Sequence, residues 1–390
     1  MTVALIQPKT LSWALKRSHA PLEDIAKSAH VKVADLESWQ KGKKAPPTIR
    51  QAQHLAQVLH IPFGYLFLSE PPKDDLPLPD LRTIRNEELK FPSPELQDVI
   101  DDVLRKRDWY KEYLLQQGTE PVKFIGRFNV KNAVQKVAAD ISEVLGINES
   151  LRKKVSSWEE FLRELIDVAQ ANRILVLRSG IVGNNTHRPL SVEEFRGFAI
   201  SDDVAPLIFL NGKDSKAAQI FTLAHEIVHL WLGASGISNL DIREEVLHQK
   251  EIELFCNSVA AEILVPEKSF LENWSKRVSI EDNLHKLVRK YRVSSLVVLR
   301  RVLDLQLISL KAYREACDVE EEKFKQHESR GKEESGGNFY STFLMRNSGL
   351  LTSTIVAGAL EGKVLYREAS RLLGVHAETL HGIATNLGIK

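Results

Sequence analysis

The chain has 390 residues, 43% hydrophobic and 27% charged, enough apolar material for two or three domain cores and too much for a disordered chain. Its 53 Lys and Arg against 52 Asp and Glu leave a net +1, which excludes a polycation that binds nucleic acid indiscriminately. No run nears the ~18 apolar residues of a membrane span, the first residues lack the pattern of a signal peptide, and Cys256 and Cys317 alone cannot form a disulfide framework, so a cytoplasmic protein without membrane contact is expected.

Charge is uneven. Through residue 70, nine basic residues face five acidic ones, making this the basic end of the chain. Apolar residues recur there at three- and four-residue steps, as in Leu22, Ile25, Ala26 and Ala29, and predict helices over Leu11–Arg17, Leu22–Ala29, Val33–Lys41 and Thr48–Leu59. Pro46-Pro47 stops the third, and Thr48 can cap the fourth. Two helices joined through Ala29-His30-Val31 have the layout of a helix-turn-helix, whose second helix enters a major groove while basic residues meet phosphates. On that reading Lys32, Val33, Ala34, Asp35 and Ser38 face bases, and Lys41, Lys43 and Lys44 face the DNA backbone, with Asp35 and Glu37 opposing phosphate. The segment, with its run through Leu55, Leu59, Ile61-Pro62 and Leu66-Phe67, resembles the Xre/Cro-type repressors. It departs from them at Gln40, where they usually place Glu, and a plain helical bundle would share the spacing.

Prolines and charges over Glu70–Pro79 mark an extended linker, followed by helix over Pro94–Gln117 and again over Val130–Leu145. The middle changes character. Arg173–Leu177, Phe195–Ile200 and Pro206–Leu210 are short β-branched or aromatic runs bounded by turn residues, which are strand signals. Two helices follow, Ala217–Leu232 and Glu244–Leu264, the second ended by Pro266. Helix continues to Ala316. The charge-dense stretch Glu320–Gly337 reads as a solvated linker, and 339–390 as a last helical piece.

His225-Glu226-Ile227-Val228-His229 is the sharpest feature. On a helix, residues i and i+4 lie one turn apart on one face, so both imidazoles can reach one metal ion while Glu226 stands beside them to take a proton from a bound water. A catalytic zinc takes a third protein ligand and leaves a fourth position to water. Glu251, Glu253 and His248 on the next helix are the candidates, and spacing alone puts Glu253 only modestly ahead. Asn257, i+4 from Glu253, could support the site from behind the ligands. Cys256 reads as a small buried residue turned about 100° from the face of Glu253 and Asn257.

The run Phe221–Gly233 around this motif, followed by Glu253–Pro266, resembles the ImmA/IrrE family of zinc metallopeptidases. The resemblance implies a minimal thermolysin-like zincin core: a small sheet, the motif helix and a glutamate on the helix after it. Residue by residue, His225 and His229 fall on the family's histidine ligands, Glu226 on its catalytic carboxylate and Glu253 on its third zinc ligand. Val228 stands where many members have Gly, and Gly233 where they have a further histidine. Donors for an oxyanion are sought among His187, Arg243, His248 and Tyr340, and the sequence does not choose among them.

Leu76–Thr83 and the segments Lys290–Leu303 and Gly336–Tyr340 resemble long members that join a helix-turn-helix to the peptidase. Lys290–Leu303 has the look of a second helix-turn-helix-like unit or of a supporting helical pair, and Arg367–Val375 reads as structural or partner-binding. The expected fold is therefore mainly α with a small β-sheet. Its organisation is 1–70 helix-turn-helix, 71–120 linker and connecting helix, 121–275 metallopeptidase core, 276–318 helical, 319–337 charged linker and 338–390 helical. Two functions follow from the resemblance. One is a Zn2+-dependent peptidase that cleaves a repressor or similar regulatory protein. The other is a DNA-binding antitoxin or autorepressor whose peptidase fold holds a ribonuclease-type toxin. Both call for an operator DNA, and a homodimer is the assembly considered.

Overall fold

A computed structural model describes residues 2–43, 45–72, 76–79, 92–238, 251–330 and 338–389. The protein is 59% helical with a small mixed sheet, the mainly α architecture expected. It divides into two compact units, residues 1–77 with 86–102, and residues 78–85 with 103–390. No helix among the described residues is long and apolar enough to cross a membrane.

The first unit holds α1 (Pro8–Arg17), α2 (Leu22–Ser28), α3 (Val33–Gln40), α4 (Ile49–Val58) and a 3-10 turn at Phe63–Phe67, within three residues of the predicted bounds. Leu11, Ile25, Leu36, Leu55 and Leu66 meet in one core, each from the apolar stripe of its own element. A capping box starts α4: the Gln51 N–H donates to Thr48 Oγ1 at 3.2 Å, and the Thr48 N–H donates to Gln51 Oε1 at 2.9 Å.

Helix α5 (Pro94–Gln116) begins in the first unit and continues past Val103 in the second. Next come α6 (Val134–Leu145), α7 (Glu149–Lys154) and α8 (Trp158–Ala171), then the strands β1 (Leu175–Ser179), β2 (Ile181–Val182), β3 (Asn185–Pro189), β4 (Gly197–Ile200) and β5 (Leu207–Asn211). Helix α9 (Lys216–Trp231) carries the histidine motif and leads to β6 (Gly236–Ser238). The main sheet runs β1-β5-β4-β6, while β2 and β3 form a separate hairpin. β1 and β5 are parallel; β4 is antiparallel to both its neighbours. Side chains alternate across the sheet. Ala199, Ile208 and Leu210 join the core that holds α9, while Phe198 and Phe209 stack on the other face with ring centroids 5.0 Å apart. β6 and the hairpin were absent from the sequence expectation.

Helices α10 (Glu251–Leu264), α11 (Glu267–Asn273), α12 (Ile280–Tyr291) and α13 (Ser295–Asp304) complete this core, in which Ile141, Phe161, Ile220, Val259, Leu287 and Val298 are all buried. The α12–α13 pair therefore shares the core of the motif helix. Arginines fasten it. The Arg152 guanidinium donates to the carbonyls of Ile263 at 2.7 Å and Tyr291 at 3.1 Å, Arg292 donates to Val155 O at 3.1 Å, and Arg301 pairs with Glu262.

Helix α14 spans Leu310–Arg330, which corrects the reading of Glu320 onward as linker. Glu, Lys and Arg are good helix formers, and Lys323 holds Glu320 at 3.0 Å and Glu281 of α12 at 2.7 Å. Residues 331–337 of that expectation lie outside the described residues. The chain ends in α15 (Phe339–Asn347), α16 (Gly349–Leu360), α17 (Tyr366–Leu373) and α18 (Thr379–Leu387).

Candidate metal centre

The Ser215 hydroxyl starts α9 by accepting the Ala218 N–H at 3.2 Å, and from Ile220 to Trp231 every residue is buried. A helix buried all round holds its side chains in fixed rotamers. The i,i+4 spacing then brings His225 Nε2 and His229 Nε2 to 2.9 Å. Helix α10 packs on α9 and inserts Glu253 between them, its two carboxylate oxygens 3.1 Å from His225 Nε2 and 3.2 Å from His229 Nε2. In a tetrahedron with bonds of ~2.0–2.1 Å, ligand atoms lie ~3.3 Å apart. The three donors already have about that spacing, so they fit a single metal ion of zinc's size.

Asn257 Oδ1 lies 3.0 Å from His225 Nδ1. An amide oxygen only accepts, so Nδ1 carries a proton, and Nε2 is the nitrogen left on the Glu253 and His229 side for a metal to take. Burial works against charge on Glu253, but the His225 charge and hydrogen bonds from both imidazoles hold its pKa down to about 2. Burial pushes the His229 pKa down, favouring the neutral ring a metal needs.

Cys256 is buried, as expected, but it is not turned away from the site: its sulfur lies within 4.8 Å of the ligand nitrogens of His225 and His229. A three-residue step is only about 60° round a helix, so Cys256 shares the Glu253 face. Burial, then the charges of Glu253 and Glu226, push its thiol well above the ordinary range, so it lines the site as a neutral group.

Glu226 is fully buried, and neither carboxylate oxygen closes a hydrogen bond among the described residues. Burial and the Glu253 charge raise its pKa well above the ordinary value, with the Ser238 hydroxyl opposing. Ser238 owes its place to register. It pairs with Gly197 across β4 and β6, so both residues face α9. Gly197 is required there: a Cβ would stand 2.7 Å from Thr222 Cγ2 and 3.3 Å from Glu226 Oε1. Neither residue was singled out from the sequence, because only the long-range pairing brings them to the carboxylate.

Other expected residues are placed elsewhere. Glu251 is exposed at the start of α10, away from the buried donors, and His248 and Arg243 lie outside the described residues. His187 is exposed on the β2–β3 hairpin, and the Tyr340 hydroxyl crowds Gly382 of α18. Gly233 has φ +67°, and a Cβ there would stand 3.0 Å from Gly126 Cα, so the histidine of many family members would collide at this position. In the first unit, Lys32, Ala34, Lys41 and Lys43 are exposed and Val33 and Ser38 half-buried on or beside α3, while Lys44 lies outside the described residues. The Ser38 hydroxyl donates to Ala34 O of its own helix at 2.6 Å.

Residues 183–303 match the family model of the IrrE N-terminal-like domain, and residues 347–386 match that of a domain of unknown function (DUF8813). No curated protein matches the chain. The first match runs from the hairpin through α13, takes in every donor described above, and supports a regulatory metallopeptidase kind. The second covers α16–α18.

Proposed function

We propose that this chain is a zinc-dependent regulatory endopeptidase of the cytoplasm, joined to a DNA-binding unit, that hydrolyses a peptide bond in a repressor or similar regulator. One observation carries the reading: two imidazole nitrogens and a carboxylate converge within 2.9–3.2 Å beside a second carboxylate that closes no hydrogen bond among the described residues. His225, His229 and Glu253 would hold the metal, and Asn257 would fix the His225 tautomer. Zinc bound there would polarise the scissile carbonyl and acidify the attacking water. Glu226 supplies what the ligands cannot, accepting the water proton at its carboxylate and passing it to the leaving amine. A scaffold has no need of a buried carboxylate in that position, whose desolvation costs stability. Residues 1–70 would bind an operator, with Lys32, Val33, Ala34 and Ser38 toward bases and Lys41, Lys43 and Lys44 toward phosphates.

One observation favours the second reading, an antitoxin or autorepressor. His225, Glu226 and His229 are each 0% exposed, a burial that would suit a protein holding a toxin rather than turning over substrate. Glu226→Gln separates the two, since it keeps shape and leaves the three donors intact. A peptidase variant of this kind retains metal while cleavage of co-expressed regulators falls by about 100-fold or more. Unchanged repression, toxin rescue and regulator levels would leave the binding function standing alone.

A further inference from the structure

Among the described residues the sheet has two outer edges, β1 and β6, and β6 is the one beside Glu226, through Ser238. A peptide presented to this site in extended form gains most by adding to that edge as a further strand, exchanging main-chain hydrogen bonds. The edge is already taken. Ile237, paired with Phe198 on its inner side, donates its N–H outward to Pro79 O at 3.0 Å. Leu78, next to it, is 7% exposed in a segment of alternating leucine and proline, Leu76-Pro77-Leu78-Pro79.

We propose that Leu78-Pro79 is a built-in strap that occupies the substrate edge of the sheet and keeps the site closed until it is displaced. The inference rests on the peptidase reading above for what the edge receives. Its chemistry suits an occupant rather than a substrate. Proline offers a carbonyl but no N–H, so the strap accepts from Ile237 and gives the edge only part of what a substrate strand gives. Its fixed φ limits the freedom of the segment, which bends at Pro77 and Leu78 before the Pro79 carbonyl reaches the edge, and the side chain of Leu78 supplies the anchor. Among the described residues the hold on the edge is one main-chain bond beside one buried leucine, which is reversible. The strap is also continuous in sequence with the end of the first unit at Pro77, so whatever that unit binds can act on residue 78 through the chain. The displacing strand would be an extended segment of a protein partner, with N–H groups at the positions where the strap has proline.

The test uses the full-length chain with Leu78→Asp, and Leu78→Ala as the milder variant should the first not fold. Hydrogen exchange at Ile237 reads the edge directly, and release should raise its rate by about tenfold or more. A fluorescent peptide Leu-Ala-Leu-Ala, the strap with its prolines replaced, reads occupancy by anisotropy and should bind the variant about tenfold more tightly than the parent. Hydrolysis of casein reads turnover and should rise in the variant, and not in the variant carrying Glu226→Gln. Unchanged exchange at Ile237 in a folded variant, or equal peptide affinity in variant and parent, would overturn the strap. Released exchange and tighter peptide binding with no hydrolysis in any variant would support the strap and count against the peptidase reading. Equal casein hydrolysis by parent and released variant would support the peptidase and overturn the strap.

Discussion

Gly197→Ala places one methyl group in the narrowest part of the site. Its backbone lies outside the left-handed region, so alanine meets no backbone strain, and the effect is steric. The new Cβ would stand 2.7 Å from Thr222 Cγ2, 3.0 Å from Phe209 O and 3.3 Å from Glu226 Oε1. Overpacking of this kind costs about 1–3 kcal/mol, offset by about 0.4–1 kcal/mol because alanine restricts the unfolded chain. A net loss of roughly 0.5–2 kcal/mol should lower Tm by roughly 1–8 °C. Thr222→Ser removes the methyl group in the closest contact, at a cost of about 1 kcal/mol for a buried methyl. Combined, the two substitutions should lose less than their sum, with a coupling of about 0.5–1.5 kcal/mol. Denaturant unfolding of parent, both single variants and the double variant measures that coupling. Strict additivity, or Gly197→Ala as stable as the parent, would refute the argument that β4 is held against Thr222 and Glu226.

Metal analysis of purified protein should find about one ion per chain, lost in Glu253→Ala and His229→Ala and kept in Cys256→Ser; loss in the last would make the sulfur a ligand. The Asp202 carboxyl pays for burial, but a hydrogen bond from Lys111, the Ala205 and Val204 N–H groups and the Lys111 charge bring its pKa below 3.8. A lowered folded pKa gives stability above pH 3.8 that fades as pH falls through the folded value, so Asp202→Asn should lower Tm near neutral pH. Thermal melts down the pH scale should show that gap closing below pH 3.8. Operator binding should weaken steeply with salt, and Lys41→Ala with Lys43→Ala should reduce affinity for all sequences alike, as gel shifts across a salt series would show.

The parts of the site legible in the sequence are those encoded within one helix. His225, Glu226 and His229 are fixed by a four-residue step, and Asn257 follows from the same step applied to Glu253. Spacing put Glu253 only modestly ahead of Glu251 and resemblance made the choice, since deciding between them from the residues needs the angle at which α10 meets α9. The structure exposes one and buries the other. Ser238 and Gly197 were illegible for a different reason: their meeting depends on a strand register set between residues some forty positions apart. Gly236-Ile237-Ser238 is too short to show alternation, so β6 left no mark. The charged end of α14 misled because density of charge says that a segment is solvated, not that it lacks helix.

The arginine fastenings of the helical pair constrain the sequence in a lopsided way. Arg152 and Arg292 reach three carbonyls, those of Ile263, Tyr291 and Val155, and none of these acceptors is a side chain. A carbonyl is present whatever residue occupies the position, so the acceptor side can drift freely as long as the helix ends stay where they are. The donor side cannot, because lysine offers no planar fork to span two carbonyls at once. Substitutions at Ile263 or Val155 should therefore be felt through the core alone, while Arg152→Lys should loosen the pair and also give up the guanidinium's place over the Phe161 ring, 5.2 Å from its centroid.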